Sequence, residues 1–144
     1  NTTIRDLMNN QLPNAIELAT KYHEGQTRRD GSPYITHPAK VASMLSTEEE
    51  KAVAWLHDVV EDTEATLLTL QGKVSNTVII AVEAITERDG EPYEDYIIRV
   101  GRNSIASRVK IADMFHNISD MSTETAKKKY FKSLKYLLTK LQEN

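Results

Sequence analysis

Apolar residues in this chain recur at three- and four-residue steps nearly from end to end, and no run alternates as a half-buried strand must. That period admits helices and little else. Ile16, Leu18, Ala19 and Tyr22 place a helix over 12–22, and the Gly- and Pro-rich stretch 25–38 reads as a loop with a turn at Asp30-Gly31-Ser32-Pro33. A helix begins near Pro38 and runs to about residue 45. Ser46 and Thr47, followed by Glu48, Glu49 and Glu50, predict a hydroxyl-capped helix start, and that helix should continue to about Glu61. Further helices are expected over 66–71, 75–86, from Tyr93 to near Gly101, from Asn103 or Ser104 to about 118, and after Thr123 to the end. The sum is roughly eight helices in one all-α domain over residues 1–144, with no repeat or linker to divide it.

Composition narrows the chemistry. The chain has no cysteine, which removes thiolate zinc sites, thiol nucleophiles and disulfide frameworks together. Its formal charge of −3 lacks the basic excess of a nucleic-acid surface. No apolar run reaches the roughly 18 residues of a membrane span, so a soluble, cytoplasmic protein without nucleic-acid or membrane partners is expected.

The segment Ala54-Trp55-Leu56-His57-Asp58-Val59-Val60-Glu61-Asp62-Thr63 carries the chemistry. On a continuous helix His57 stacks above Glu61, and Asp58 lies beside Glu61 and Asp62. Three carboxylates on one face repel one another, and a divalent cation resolves the conflict. His57 and Asp58 alone are too few ligands. His37, between the glycine-rich loop and the next helix, and Asp113, on an otherwise apolar helix, are candidates to complete the set. Two imidazoles and two carboxylates suit Mn²⁺, Fe²⁺ or Zn²⁺ and leave coordination positions for water and a substrate oxygen. Glu61 and Asp62, one turn along, could orient that water or move its proton.

Three segments, in order, resemble one family: Gly25-Gln26-Thr27-Arg28-Arg29-Asp30-Gly31-Ser32-Pro33-Tyr34-Ile35-Thr36-His37-Pro38, then 55–63, then 109–117. They are similar to the HD phosphohydrolase superfamily, in particular the hydrolase domain of RelA/SpoT-type alarmone enzymes and their small stand-alone relatives. The resemblance implies an all-helical HD domain with Mn²⁺ held by His37, His57, Asp58 and Asp113, and with Glu61 and Asp62 acting at the water. It implies removal of the 3′-pyrophosphate from a guanosine alarmone such as ppGpp. It further implies that Arg28 packs against the base, that Arg29 lies near phosphate and that Asn117 lines the nucleotide pocket.

The chain departs from the family pattern at Ser119-Asp120, where Arg-Thr is usual, and at Met114-Phe115, where Arg-Leu or Lys-Leu is usual. Asp120 puts a carboxylate where the family's threonine would contact nucleotide, which repels a phosphate unless a cation bridges the two. Two alternatives therefore stay open: a related hydrolase of another nucleotide (an NADPH phosphate or a nucleoside phosphate), and a non-catalytic nucleotide-binding regulatory module. Lys110 is read equally as a guide for phosphate or as a solvated helix lysine. His23 and His116 are expected to be structural or pocket-wall residues, Tyr93 and Tyr96 to pack between helices, and Lys127-Lys128-Lys129 to be a solvated face. The stripe Tyr130, Leu134, Leu137, Leu138 and Leu141 belongs to the core or to a homodimer interface.

Overall fold

The computed structural model describes residues 3–118, 120–121 and 123–143, with backbone alone for 4–8. Among these residues there is no strand. The helices are α1 (Ile4–Tyr22), α2 (Thr36–Ser43), α3 (Glu48–Leu56), α4 (Val59–Asp62), α5 (Leu67–Leu70), α6 (Asn76–Ile85), α7 (Tyr93–Gly101), α8 (Ser104–Ile118) and α9 (Glu124–Glu143).

Helix α3 is the hub. Thr47 and Glu50 form a reciprocal capping box that starts it, and Ala52, Val53, Ala54 and Leu56 are all buried. Two of those four are alanines, so α1, α2, α6 and α8 all approach it closely. Helix α8 begins where Asn103 accepts from the Ala106 N–H, and α9 begins where Thr123 accepts from that of Ala126. Arg99 of α7 closes the C-terminal end of α6. Its guanidinium donates to the carbonyls of Glu83, Ala84 and Thr86 and forms a two-pronged pair with Glu91. The buried Tyr96 hydroxyl donates to the Ile85 carbonyl at the same helix end, so Tyr96 is a packing residue as expected.

Three expectations need correction. The helix expected to run unbroken to Glu61 is split at His57 and Asp58. The His57 Nδ1–H donates to the Ala54 carbonyl at 2.5 Å, the acceptor that an unbroken helix would offer to the Asp58 N–H. Asp58 accordingly sits at φ −105°, ψ −3°. Counting α3 and α4 as one interrupted helix restores the expected eight. Helix α2 starts at Thr36, so His37 lies in its first turn and not in the preceding loop. Helix α1 starts well before residue 12 and contains Pro13.

The loop between α1 and α2 is a small built structure. The Arg28 N–H donates to the Ser32 carbonyl, and the Tyr34 N–H to that of Gln26. Gly31 takes φ +89°, and Asp30 accepts from both the backbone and the hydroxyl of Ser32, confirming the turn read from the sequence. Leu134 and Leu137 of α9 are buried, whereas Leu138 is exposed beside Phe115 and Met44, so the leucine stripe is divided between core and surface. No helix among the described residues is long and apolar enough to cross a membrane.

Candidate metal centre

The break between α3 and α4 puts His57 and Asp58 at a helix end, where two adjacent side chains can point at one spot. Helix α2 brings His37 there and α8 brings Asp113. His37, His57 and Asp113 are all buried, and their ligand atoms lie within 4.8 Å of one another. Asp58 joins through Oδ2, 3.0 Å from His57 Nε2 and 3.8 Å from His37 Nε2.

The tautomer of His57 decides what this cluster requires. A carbonyl only accepts, so the proton on Nδ1 is committed to Ala54. In a neutral imidazole Nε2 then carries a lone pair, which is buried without a hydrogen-bond partner and faces the carboxylates of Asp58 and Asp113 at 3.0 and 3.3 Å. Lone pair against anion is repulsive. Only a cation at that point, a proton or a metal ion, reconciles the three groups. The titration tendencies agree. Burial disfavours an imidazolium at His57, yet the charge of Asp58 and the hydrogen bonds that an imidazolium Nε2–H donates to both acids outweigh it and hold its pKa well above the ordinary value. Burial likewise opposes ionisation of Asp113, but Lys110 and the two histidines hold its carboxyl far below the usual range. The donor set of two imidazole nitrogens and two carboxylates fits a divalent cation.

Each of these four side chains is gripped from outside. His37 Nδ1 lies 2.7 Å from His116 Nδ1, with the two rings stacked. Asp113 accepts from Lys110 Nζ on Oδ2 and from Asn117 Nδ2 on Oδ1, both at 3.1 Å. Asp58 Oδ2 accepts from the Tyr34 hydroxyl, and His57 is held by the Ala54 carbonyl. Such outer partners fix ligand orientation and tautomer. Lys110 is thus not a solvated helix lysine. Burial opposes its charge, but Asp113 more than compensates and raises its pKa.

His37, Asp58 and Asp113 of the cluster line a cavity of about 530 Å³. Its walls include Arg28, Arg29, Lys110, Asn117, Asp120 and Tyr130. At the mouth, Arg28 Nη2 donates to Asp120 Oδ2 at 2.9 Å, tying the α1–α2 loop to the residues after α8. Arg29 is exposed. Ser119 lies outside the described residues.

Glu61 and Asp62 form, with Asp58, a second group of ligand atoms within 4.8 Å. Partial burial, then the charges of Asp58, Glu87 and Asp62, push the Glu61 carboxyl up to about 7. Burial and Asp58 raise that of Asp62 as well. Both stay close to Asp58 despite the helix break, and the Asp62 N–H still bonds the Asp58 carbonyl, at 2.9 Å.

Sequence reasoning assigned no function to Tyr34, His116 or Tyr130. Tyr34 stands in the first motif three positions before His37, yet nothing in that spacing announces a bond to Asp58, 24 positions on. His116 stands one helical turn beyond Asp113, and the approach of α2 to α8 brings it against His37. His23 is a buried structural residue, one of the two roles expected, with Nδ1 2.8 Å from Gln26 Oε1 and its ring 4.8 Å from that of Tyr34.

Comparison with known proteins bears on all of this. The chain is 35% identical over 120 residues to the probable GTP pyrophosphokinase of Mycobacterium leprae (strain TN), a match covering 74% of this chain and 15% of that protein. It is 32% identical over 128 residues to the bifunctional (p)ppGpp synthase/hydrolase SpoT of Escherichia coli (strain K12), covering 78% and 18%. The matches therefore span less than a fifth of either relative. Among solved structures, one reported under "A metazoan ortholog of SpoT hydrolyzes ppGpp and plays a role in starvation responses" superposes with a TM-score of 0.73. That match has 22% identity and covers 91% of this chain and 85% of the other, which shows a shared fold. The profile of the family described as HD domain matches residues 15–141, and with the helical architecture and the His/Asp cluster this establishes that the chain belongs to the HD-domain family.

Proposed function

We propose that this domain is a metal-dependent phosphohydrolase that removes the 3′-pyrophosphate from ppGpp-like guanosine alarmones. The observation that carries the reading is the buried, unpartnered Nε2 of His57 facing Asp58 and Asp113, two carboxylates that line a nucleotide-sized cavity. The names of the two curated relatives, one of them a (p)ppGpp synthase/hydrolase, support the choice of substrate. His37, His57, Asp58 and Asp113 would hold the ion, with Mn²⁺ the first choice and Fe²⁺ or Zn²⁺ compatible with the same donors. When bound, such an ion lowers the pKa of a coordinated water and polarises the phosphoryl electrophile.

The remaining work falls to the chain. Glu61, whose carboxyl titrates near 7, accepts the proton of the attacking water, and Asp62 orients that water. Arg28 offers the planar face of its guanidinium to the base while Asp120 occupies its edge. Arg29 meets phosphate at the open rim, and Asn117 lines the pocket beside Asp113. Lys110 acts through Asp113, keeping the carboxylate ionised and oriented.

One observation favours a second reading, hydrolysis of a different nucleotide: the Asp120 carboxylate at the cavity mouth opposes a second phosphate group there. Incubation of Mn²⁺-loaded protein with ppGpp, with NADPH and with deoxynucleoside triphosphates separates the two. Release of pyrophosphate and GDP from ppGpp is the expected result. Turnover of another nucleotide with ppGpp inert would transfer the assignment, and nucleotide binding without any product would leave a regulatory module.

A further inference from the structure

The loop that carries Arg28 and Arg29 also reaches the metal centre, through one phenol. The Tyr34 hydroxyl donates to Asp58 Oδ2, the oxygen that faces His57 Nε2 at 3.0 Å and His37 Nε2 at 3.8 Å. Of the two Asp58 oxygens, this is the one turned toward the imidazoles. The tyrosine ring is itself fixed. It lies 4.8 Å from the His23 ring on one side and 5.8 Å, edge-on, from the His37 ring on the other. His23 is anchored by Gln26, whose amide donates to the Asp62 carbonyl at 3.2 Å. Gln26, His23 and Tyr34 thus form a brace running from the α1–α2 loop to Asp58 and back to the end of α4.

Asp58 needs such a brace. It sits at the break between α3 and α4, and its side chain makes no helix-capping hydrogen bond. A carboxylate free to rotate would divide its time between the centre and the Glu61–Asp62 side, with which it also clusters. Resting on the metal centre proposed above, we infer that Tyr34 is a positioning residue for that centre: its hydroxyl selects the orientation in which Asp58 completes the donor set. The hydroxyl suits this task because a phenol keeps its proton at neutral pH and can donate it to a carboxylate. Tyr34 touches the cavity wall, but its role runs through Asp58 rather than through the reacting phosphate.

Tyr34→Phe removes the hydroxyl and keeps the ring between the two histidines. Mn²⁺ binding to chelator-stripped protein, followed calorimetrically, should weaken by roughly 10–100-fold in the variant. Circular dichroism and thermal melting of the metal-free variant establish that it is folded. A merely structural ring would leave two further readouts unmoved. Turnover of the variant at low Mn²⁺ should fall and be restored by excess Mn²⁺, while the KM for nucleotide stays within about twofold, since this outer partner acts on the ligand and not on the substrate. Wild-type protein that binds Mn²⁺, with Tyr34→Phe binding it equally well, overturns the role of Tyr34 and leaves the metal centre standing. Wild-type protein that binds no divalent ion overturns both.

Discussion

The centre's dependence on Asp113 can be tested without any knowledge of the substrate. Asp113→Asn preserves shape and removes one negative charge at the residue that faces both imidazoles, at 2.7 Å from His37 Nε2 and 3.3 Å from His57 Nε2. The amide can turn its oxygen toward Lys110 and its NH₂ toward the imidazoles, which supplies hydrogens where a cation would bring charge. An ion that binds only the folded protein stabilises it by about 2.7 kcal/mol at a hundred times its Kd. A chain of 144 residues unfolds with an entropy of about 0.3 kcal/mol/K, so that stabilisation raises Tm by about 9 °C. Scanning calorimetry of chelator-stripped protein with and without Mn²⁺ should show this rise for wild type and for Glu61→Gln, whose carboxylate lies outside the proposed ligand set. Asp113→Asn, compared only with itself, should move by less than about 1 °C at the same Mn²⁺ concentration, because the ion no longer binds appreciably. A full rise in Asp113→Asn, or none in wild type, refutes the assignment of the ligands.

Further outcomes test the acid–base reading and the fold. Glu61→Gln should bind Mn²⁺ normally while losing most of the hydrolysis rate, and unchanged turnover would remove Glu61 from the mechanism. In metal-free protein the Glu61 carboxyl is raised from its ordinary 4.5 to about 7, so the native state holds its proton over a pH range where the unfolded chain has lost it. Stability should therefore decline between those pH values more steeply in wild type than in Glu61→Gln, and parallel pH–stability curves by denaturant titration would refute the shift. Mn²⁺ nearby favours the ionised carboxylate and should move the ascending limb of the activity profile below pH 7. Arg99→Ala strips the end of α6 of a guanidinium that serves three carbonyls and Glu91, and should cost about 2–3 kcal/mol in urea melts. A loss under about 0.5 kcal/mol, the range of ordinary surface substitutions, would show that water replaces these bonds freely.

The helical class and most element boundaries follow from local information. Apolar spacing at three and four residues forces helices, and Thr47, Ser75, Asn103 and Thr123 mark starts because their side chains satisfy N–H groups only a turn away. His37, His57, Asp58 and Asp113 were also legible as one set, through residue types, charge conflict and the motif order that marks the HD family. What local information missed depends on contacts between segments distant in sequence. The helix break at His57 came from an imidazole competing for the Ala54 carbonyl, which leaves Nε2 facing acids from two directions. Lys110 looks like any helix lysine until Asp113, Tyr96 and Tyr130 enclose it. The pairing of Arg28 with Asp120 spans 92 positions, that of His37 with His116 spans 79, and the bond from Tyr34 to Asp58 spans 24. Periodicity and capping report forces that act within a turn or two of the chain. The donor orientations proposed for a cation are set by side chains from α2, the α3–α4 junction, α8 and the α1–α2 loop, and packing α2 and α8 against α3 brings them together.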